Sequence, residues 1–80
     1  VEIVKTTGYF RYTRKRPDRF RILDEWILEA IERPVGEEIQ SDGRVRRWVF
    51  VDVEKKYLRV ILLEDGETVH NAFFDRGYKP

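Results

Sequence analysis

Residues 38–74 read EIQSDGRVRRWVFVDVEKKYLRVILLEDGETVHNAFF, and two Asp-Gly pairs, Asp42-Gly43 and Asp65-Gly66, divide this stretch into β-branched and aromatic runs. Asp-Gly between such runs is a strong two-residue hairpin signal, and Glu54-Lys55-Lys56 reads as a weaker third turn. The stretch therefore predicts an antiparallel meander with strands near 38–41, 44–53, 57–64 and 67–74. Tight turns set the register. About Asp65-Gly66, Ile61 would face His70, Arg59 would face Ala72 and Leu58 would face Phe73; about Lys55-Lys56, Asp52 would face Arg59, Val51 would face Val60 and Val49 would face Leu62. About Asp42-Gly43, Arg47 would face Glu38 as an ordinary surface pair. One face of the sheet is then Val49, Val51, Val53, Leu58, Val60, Leu62, Val69 and Phe73, with Asn71 as its polar member. The other is Trp48, Phe50, Asp52, Tyr57, Arg59, Ile61, Leu63, Thr68, His70, Ala72 and Phe74, too apolar to be left in water. Its cover is expected to be the N-terminal arm with Tyr9, Phe10 and Tyr12, a partner protein or a second copy.

Upstream, Ile22, Leu23, Trp26, Ile27, Ala30 and Ile31 fall on one half of a helical wheel, and Arg21, Asp24, Glu25, Glu29 and Glu32 on the other, which predicts one amphipathic helix between Phe20 and Arg33. Asp18 could cap it, or Asp24 and Glu25 could be first-turn acids of a helix that begins near residue 23. Pro34 and Gly36 end it, and Arg21 with Glu25 is spaced for a surface pair. Residues 1–13, with Val1, Ile3, Val4, Thr6, Thr7, Tyr9, Phe10 and Tyr12, predict an extended strand bent near Gly8. Thr13 to Arg19 reads as a basic turn. The expectation is an α+β fold: an N-terminal strand, one helix, then a meander of three to four strands packed on the helix.

Eighty residues with 41% hydrophobic and 39% charged side chains make one domain, 1–80, with an ionic surface and a single small core. No cysteine and a single histidine argue against disulfides, thiolate chemistry and a His-based metal site, so no metal or cofactor is expected. The longest apolar run, Val60 to Leu63, is far too short to span a bilayer, and no signal peptide opens the chain, so a cytoplasmic location without membrane contact is expected. The absence of methionine is expected to reflect a removed initiator or a trimmed N-terminus.

The net charge of +1 hides strong segregation. Residues 1–21 carry seven basic and two acidic side chains, 22–43 one and seven, 44–63 six and two, and 64–80 two and four. Such blocks suggest a basic patch built from the N-terminal arm and a central strand, facing away from an acidic helix; a mixed solvated surface would have the same composition. Aromatic and basic residues alternate in Phe10-Arg11-Tyr12-Thr13-Arg14-Lys15-Arg16, as in an arm that tracks a nucleic-acid strand, and Arg19, Arg44, Arg46 and Arg47 would add phosphate contacts. Arg59 lies within an apolar run, where a guanidinium is costly unless paired. Either it forms a cross-strand pair with Asp52, or it binds phosphate on the sheet floor with His70 one diagonal away, roughly 7 Å. His70 reads either as a rim residue or as an acid/base group.

The order of helix, Pro34, Asp42-Gly43-Arg44, Lys56-Tyr57-Leu58-Arg59-Val60 and Thr68-Val69-His70-Asn71-Ala72-Phe73-Phe74 resembles small uncharacterised bacterial domains placed near the RelE, ParE and BrnT toxins, over roughly residues 14–76. The resemblance implies a compact α+β fold and a metal-independent endoribonuclease of a toxin–antitoxin system. In such an enzyme Arg59 and Arg76 would meet the phosphate charge, His70 would be the acid/base, and Tyr57 or Tyr78 would stack on bases. It also implies RNA as a partner and an antitoxin-like protein, or a second copy, on the Trp48 and Phe50 face. Relatives of these toxins include interaction modules without chemistry, so the alternative is a non-catalytic nucleic-acid- or protein-binding module, in which Arg59 is purely structural.

Overall fold

The computed structural model describes residues 5–19 and 21–80. The chain forms α1 (Gly8–Thr13), α2 (Asp24–Glu32), β1 (Gly36–Ile39), β2 (Val45–Val51), β3 (Lys56–Leu62) and β4 (Val69–Phe74). The strands make one antiparallel sheet in the order β1-β2-β3-β4, giving the α+β meander that the Asp-Gly pairs predict. Among the described residues, no helix is long and apolar enough to cross a membrane.

Over Gly8–Thr13 the expected extended segment is a helix, α1. Val1, Ile3, Val4 and the expected helix-start position Phe20 lie outside the described residues. Residues 5–7 do run extended: Thr7 N donates to Val69 O, and Val69 N donates to Lys5 O, an isolated parallel bridge to β4 among the described residues. Thr7 then ends the extended segment because its Oγ1 accepts from Phe10 N at 3.1 Å, the N-cap bond that satisfies an otherwise orphaned donor. Helical spacing turns Phe10 inward, into the core, while Tyr9 and Tyr12 stay exposed. The N-terminal aromatics therefore do not cover the second sheet face.

α2 begins at Asp24, with Asp24 and Glu25 in its first turn and Leu23 at the N-cap, so the acid signal rather than Asp18 marks its start. Ile27 and Ala30 are buried against β2 and β3, with Trp26 and Ile31 packed beside them. At the other end Arg47 donates from Nη1 to Ile31 O at 2.8 Å, a cation on an orphaned helix carbonyl. Arg21 and Glu25 form no ion pair; Asp24 instead pairs with Arg14, which also donates to Ile22 O.

The turns determine where the expected registers hold. At the first hairpin, Gln40 N donates to Arg44 O and Gly43 N to Gln40 O, with Gly43 at φ 90°, so three residues, not two, form the loop. This pairs Glu38 with Arg46 and Glu37 with Arg47, one place from the expected register. Between β2 and β3, residues 52–55 form the loop, Lys55 adopts φ 55°, and Val51 pairs with Lys56. The expected pairing is displaced by an even number of residues, so its face assignment survives. Val49, Val51, Leu58, Val60 and Leu62 are buried under α2, while Val53 is exposed in the loop. Between β3 and β4 the expected register holds at Leu62 and Val69, and a bulge at His70 then adds one residue: Ile61 pairs with Asn71, Val60 with Ala72, Arg59 with Phe73 and Leu58 with Phe74. A one-residue slip exchanges faces. Ala72 and Phe74 therefore face the helix, and Asn71 and Phe73 face away, the reverse of the expectation.

Candidate nucleic-acid interface

α2 and the buried Phe10 lie on one face of the sheet. The cross-strand registers lay out the other face in rows: Glu38, Arg46, Ile61 and Asn71; then Gly36, Trp48, Arg59 and Phe73; then Phe50 and Tyr57. Guanidiniums and rings interleave across them. Arg59 Cζ lies 5.6 Å from the Trp48 ring centre and 5.1 Å from that of Phe73, and Arg19 Cζ lies 5.3 Å from the same Phe73 ring. Phe50 and Tyr57 meet edge to face at 5.0 Å, and Phe50 is 40% exposed.

Asp75, just past β4, organises the middle row. Its Oδ2 accepts from Arg59 Nη2 at 2.6 Å, Arg59 Nε at 2.9 Å and Trp48 Nε1 at 2.9 Å, and its Oδ1 accepts from Gly77 N at 3.0 Å. Burial alone would push its pKa up, but the bonds from Trp48, Arg59 and Gly77 outweigh it and hold the carboxyl below the usual carboxylate range. Arg59 is thus a paired arginine whose partner is Asp75; Asp52 bonds Lys55 in the loop instead. The turn through Gly77 brings Tyr78 back over the sheet, stacked on Trp48 with ring centres 4.5 Å apart and 13° between planes, and edge-on to Tyr57 at 5.0 Å. The chain's own C-terminal segment therefore covers Trp48, leaving Phe50 as the exposed ring of the expected Trp48/Phe50 face.

Gly36 makes room for that ring, because a Cβ there would overlap Tyr78 Oη and come within 3.0 Å of Cζ. Alanine in a strand normally gains roughly 0.5–1 kcal/mol over glycine. Gly36→Ala is expected to lose that gain and lift Tyr78 off Trp48, forfeiting about 1 kcal/mol of ring pairing. The check is a red shift of Trp48 emission in a Trp26→Phe background, matched by Tyr78→Ala.

His70 occupies the bulge at the sheet edge. Tyr9 stacks on its ring at 4.9 Å, and Thr7 Oγ1 lies 3.1 Å from Nδ1. The Thr7 hydroxyl, which also accepts from Phe10 N, thus ties the His70 ring to the start of α1. Burial first, then the nearby Arg44 charge, lower its pKa from 6.5. The unfolded chain therefore binds this proton more readily, so stability should be full above pH 6.5 and fall as the pH drops below it. His70→Gln should flatten that part of a pH-dependent melting profile; an unchanged slope between pH 6.5 and 5 would assign it to other groups.

Arg59 pairs with Phe73, and His70 lies three residues along β4, roughly 10 Å at strand spacing. The expected diagonal between Arg59 and His70 is replaced by this longer separation. Arg76 lies past β4, beside Arg19, Lys56, Phe73 and Phe74, away from His70. Of the expected phosphate contacts, Arg11 bonds Thr6 O and Oγ1, and Arg14 is held by Asp24. Arg44 and Arg46 make ion pairs with Asp42 and Glu38 at 3.7 and 3.0 Å. Lys15 and Arg16 are exposed on the loop after α1, and Arg19 reaches the open face, where Nη1 donates to Asn71 Oδ1 at 2.7 Å.

No protein-family model, curated protein or solved structure matched this chain.

The residues missed in the sequence are Asp75, Asn71 and Phe73. An acid two residues before a glycine at the end of the last strand was the available signal for Asp75; the bulge concealed the other two.

Proposed function

We propose that this protein is a non-catalytic binding module for single-stranded RNA, with the open sheet face as its platform. The supporting observation is the interleaving of partly exposed rings (Phe50, Tyr57, Phe73) with the guanidiniums of Arg19, Arg46 and Arg59 on the face opposite α2. Bases stack on such rings at about 1–3 kcal/mol each, and cations beside them meet the phosphates. The exposed face of α2 carries Glu25, Glu29 and Glu32 and would repel a duplex groove, whereas a flat sheet suits splayed single-stranded bases. RNA is chosen as the polymer from the resemblance in sequence to small bacterial domains placed near the RelE, ParE and BrnT toxins. The separation of His70 from Arg59, and the use of Arg59 by Asp75, favour binding over cleavage. The ion pairs of Arg44 and Arg46 are exposed and weak enough to exchange a carboxylate for a phosphate.

The test is fluorescence anisotropy with a labelled single-stranded RNA across a salt series, each sample then run on a gel for cleavage. The logarithm of the affinity should fall linearly with log salt, and Tyr57→Ala and Phe73→Ala should each weaken binding about 5- to 100-fold. His70→Ala should bind as the parent does, with the RNA intact. Fragments ending in a 2′,3′-cyclic phosphate that disappear in His70→Ala would replace this reading with the ribonuclease.

A further inference from the structure

Past the end of β4, Asp18, Arg19, Lys56, Phe73, Phe74 and Arg76 line a hollow of about 320 Å³. Three of these six are cations and one is a carboxylate, so the hollow holds two positive charges in excess. Two of the cations rest on the two rings: Arg19 Cζ is 5.3 Å from the Phe73 centre, and Lys56 Nζ is 5.4 Å from the Phe74 centre. Because Phe73 and Phe74 point to opposite faces of β4, the cations approach from both sides of the strand. Arg19 is fixed further by its bond to Asn71 and by Asp18, 3.4 Å from its Nε. Asp18 pairs with Arg16 and Arg19, and no carboxylate among the described residues pairs with Lys56 or Arg76. Rings that hold cations in place reduce the entropy lost when an anion arrives.

The geometry points to a phosphate-monoester site in this hollow. A monoester carries close to two negative charges at pH 7, which matches the local excess, and offers three oxygens to donors arriving from several directions. A phosphodiester, with one charge, would leave a cation uncompensated. Phe73 borders both this hollow and the open face, so a strand stacked on the face would end here with a terminal phosphate. That source rests on the RNA-binding reading, whereas the site itself rests on the charge and geometry of the hollow.

The first arm titrates the protein with inorganic phosphate at constant ionic strength and follows backbone amide shifts, with chloride as control. Saturable shifts at Arg19, Lys56 and Arg76 are expected, and they should be lost in Lys56→Ser and Arg76→Ser, exposed positions whose replacement leaves the core intact. Absence of saturation, or identical shifts in chloride, overturns the site. The second arm compares one RNA with a terminal phosphate and with a terminal hydroxyl. About tenfold tighter binding of the phosphorylated strand, abolished in both variants, assigns the site to strand ends. Saturation by phosphate with no preference between the two RNAs supports the site and assigns it to small phosphate esters. Saturation by phosphate with no RNA binding of any kind leaves the site standing and removes the open-face reading.

Discussion

Asp75→Ala should cost about 2–4 kcal/mol, somewhat below the 3–5 kcal/mol lost when one partner of a fully buried ion pair is removed, because this pair keeps some access to water. The Asp75 side chain is 11% exposed and that of Arg59 is 24% exposed. The substitution strands the Arg59 guanidinium in an apolar strand and removes the acceptor of Trp48 Nε1, so three side-chain N–H donors, two on Arg59 and one on Trp48, lose their partner at once. A domain of this length has roughly 4–12 kcal/mol in total, so the loss is a large fraction of it. Replacing both residues, Arg59→Leu with Asp75→Leu, should be far milder than Asp75→Ala, since no charge is then left unpaired. Urea melts of the parent, both singles and the double close the cycle; a single variant within 0.5 kcal/mol of the parent would show that the pair is solvated and does not clamp the tail. The pH dependence has a defined sign. The carboxyl is held below its usual range, so its contribution is present above the unfolded value near 3.8 and is lost as the pH falls through the folded value.

Phe10→Ala should cost about 3–4 kcal/mol, the lower part of the roughly 3–5 kcal/mol usual for emptying a buried phenylalanine site. Phe10 is 5% exposed and belongs to the same apolar cluster as Ile27, Leu58, Leu62 and Val69, although it sits in a helix of only six residues. So short a helix is not stable in water by itself and depends on this side chain and on the Thr7 cap. At about 4–8 °C per kcal/mol for domains of this size, the expected fall in Tm is on the order of 12–30 °C. Tyr12→Ala, two residues on and 72% exposed, should change stability by less than about 0.5 kcal/mol. Equal and small effects at both positions would mean that the N-terminal segment is an undocked arm rather than part of the core.

The site was legible in its residue types more than in its arrangement. Arg59 stands out in sequence because a guanidinium in Tyr57-Leu58-Arg59-Val60-Ile61 needs a partner, and it has one. The candidates offered by a tight Lys55-Lys56 turn ended at Asp52, whereas the partner, Asp75, comes from the chain's return after β4. His70 and Arg59 were a diagonal pair only while β4 ran without a bulge. Tyr78 was a candidate for stacking on a base, and the ring on which it stacks is Trp48.

The meander, the amphipathic helix and the helix-facing side chains of β2 and β3 follow from the sequence alone, because they depend on local periodicity: two for the strands, 3.6 for α2, with Asp-Gly at the turns. Even the displaced β2–β3 register keeps its faces, since a shift by an even number of residues preserves the alternation. The faces of β4, the partner of Arg59, the inward turn of Phe10 and the seat of Tyr78 were decided by tertiary structure. Each depends on one extra residue in a loop or bulge, or on a contact between segments more than fifteen residues apart. Local pattern carries no term for such contacts, and their free energy exists only once the sheet has brought the segments together.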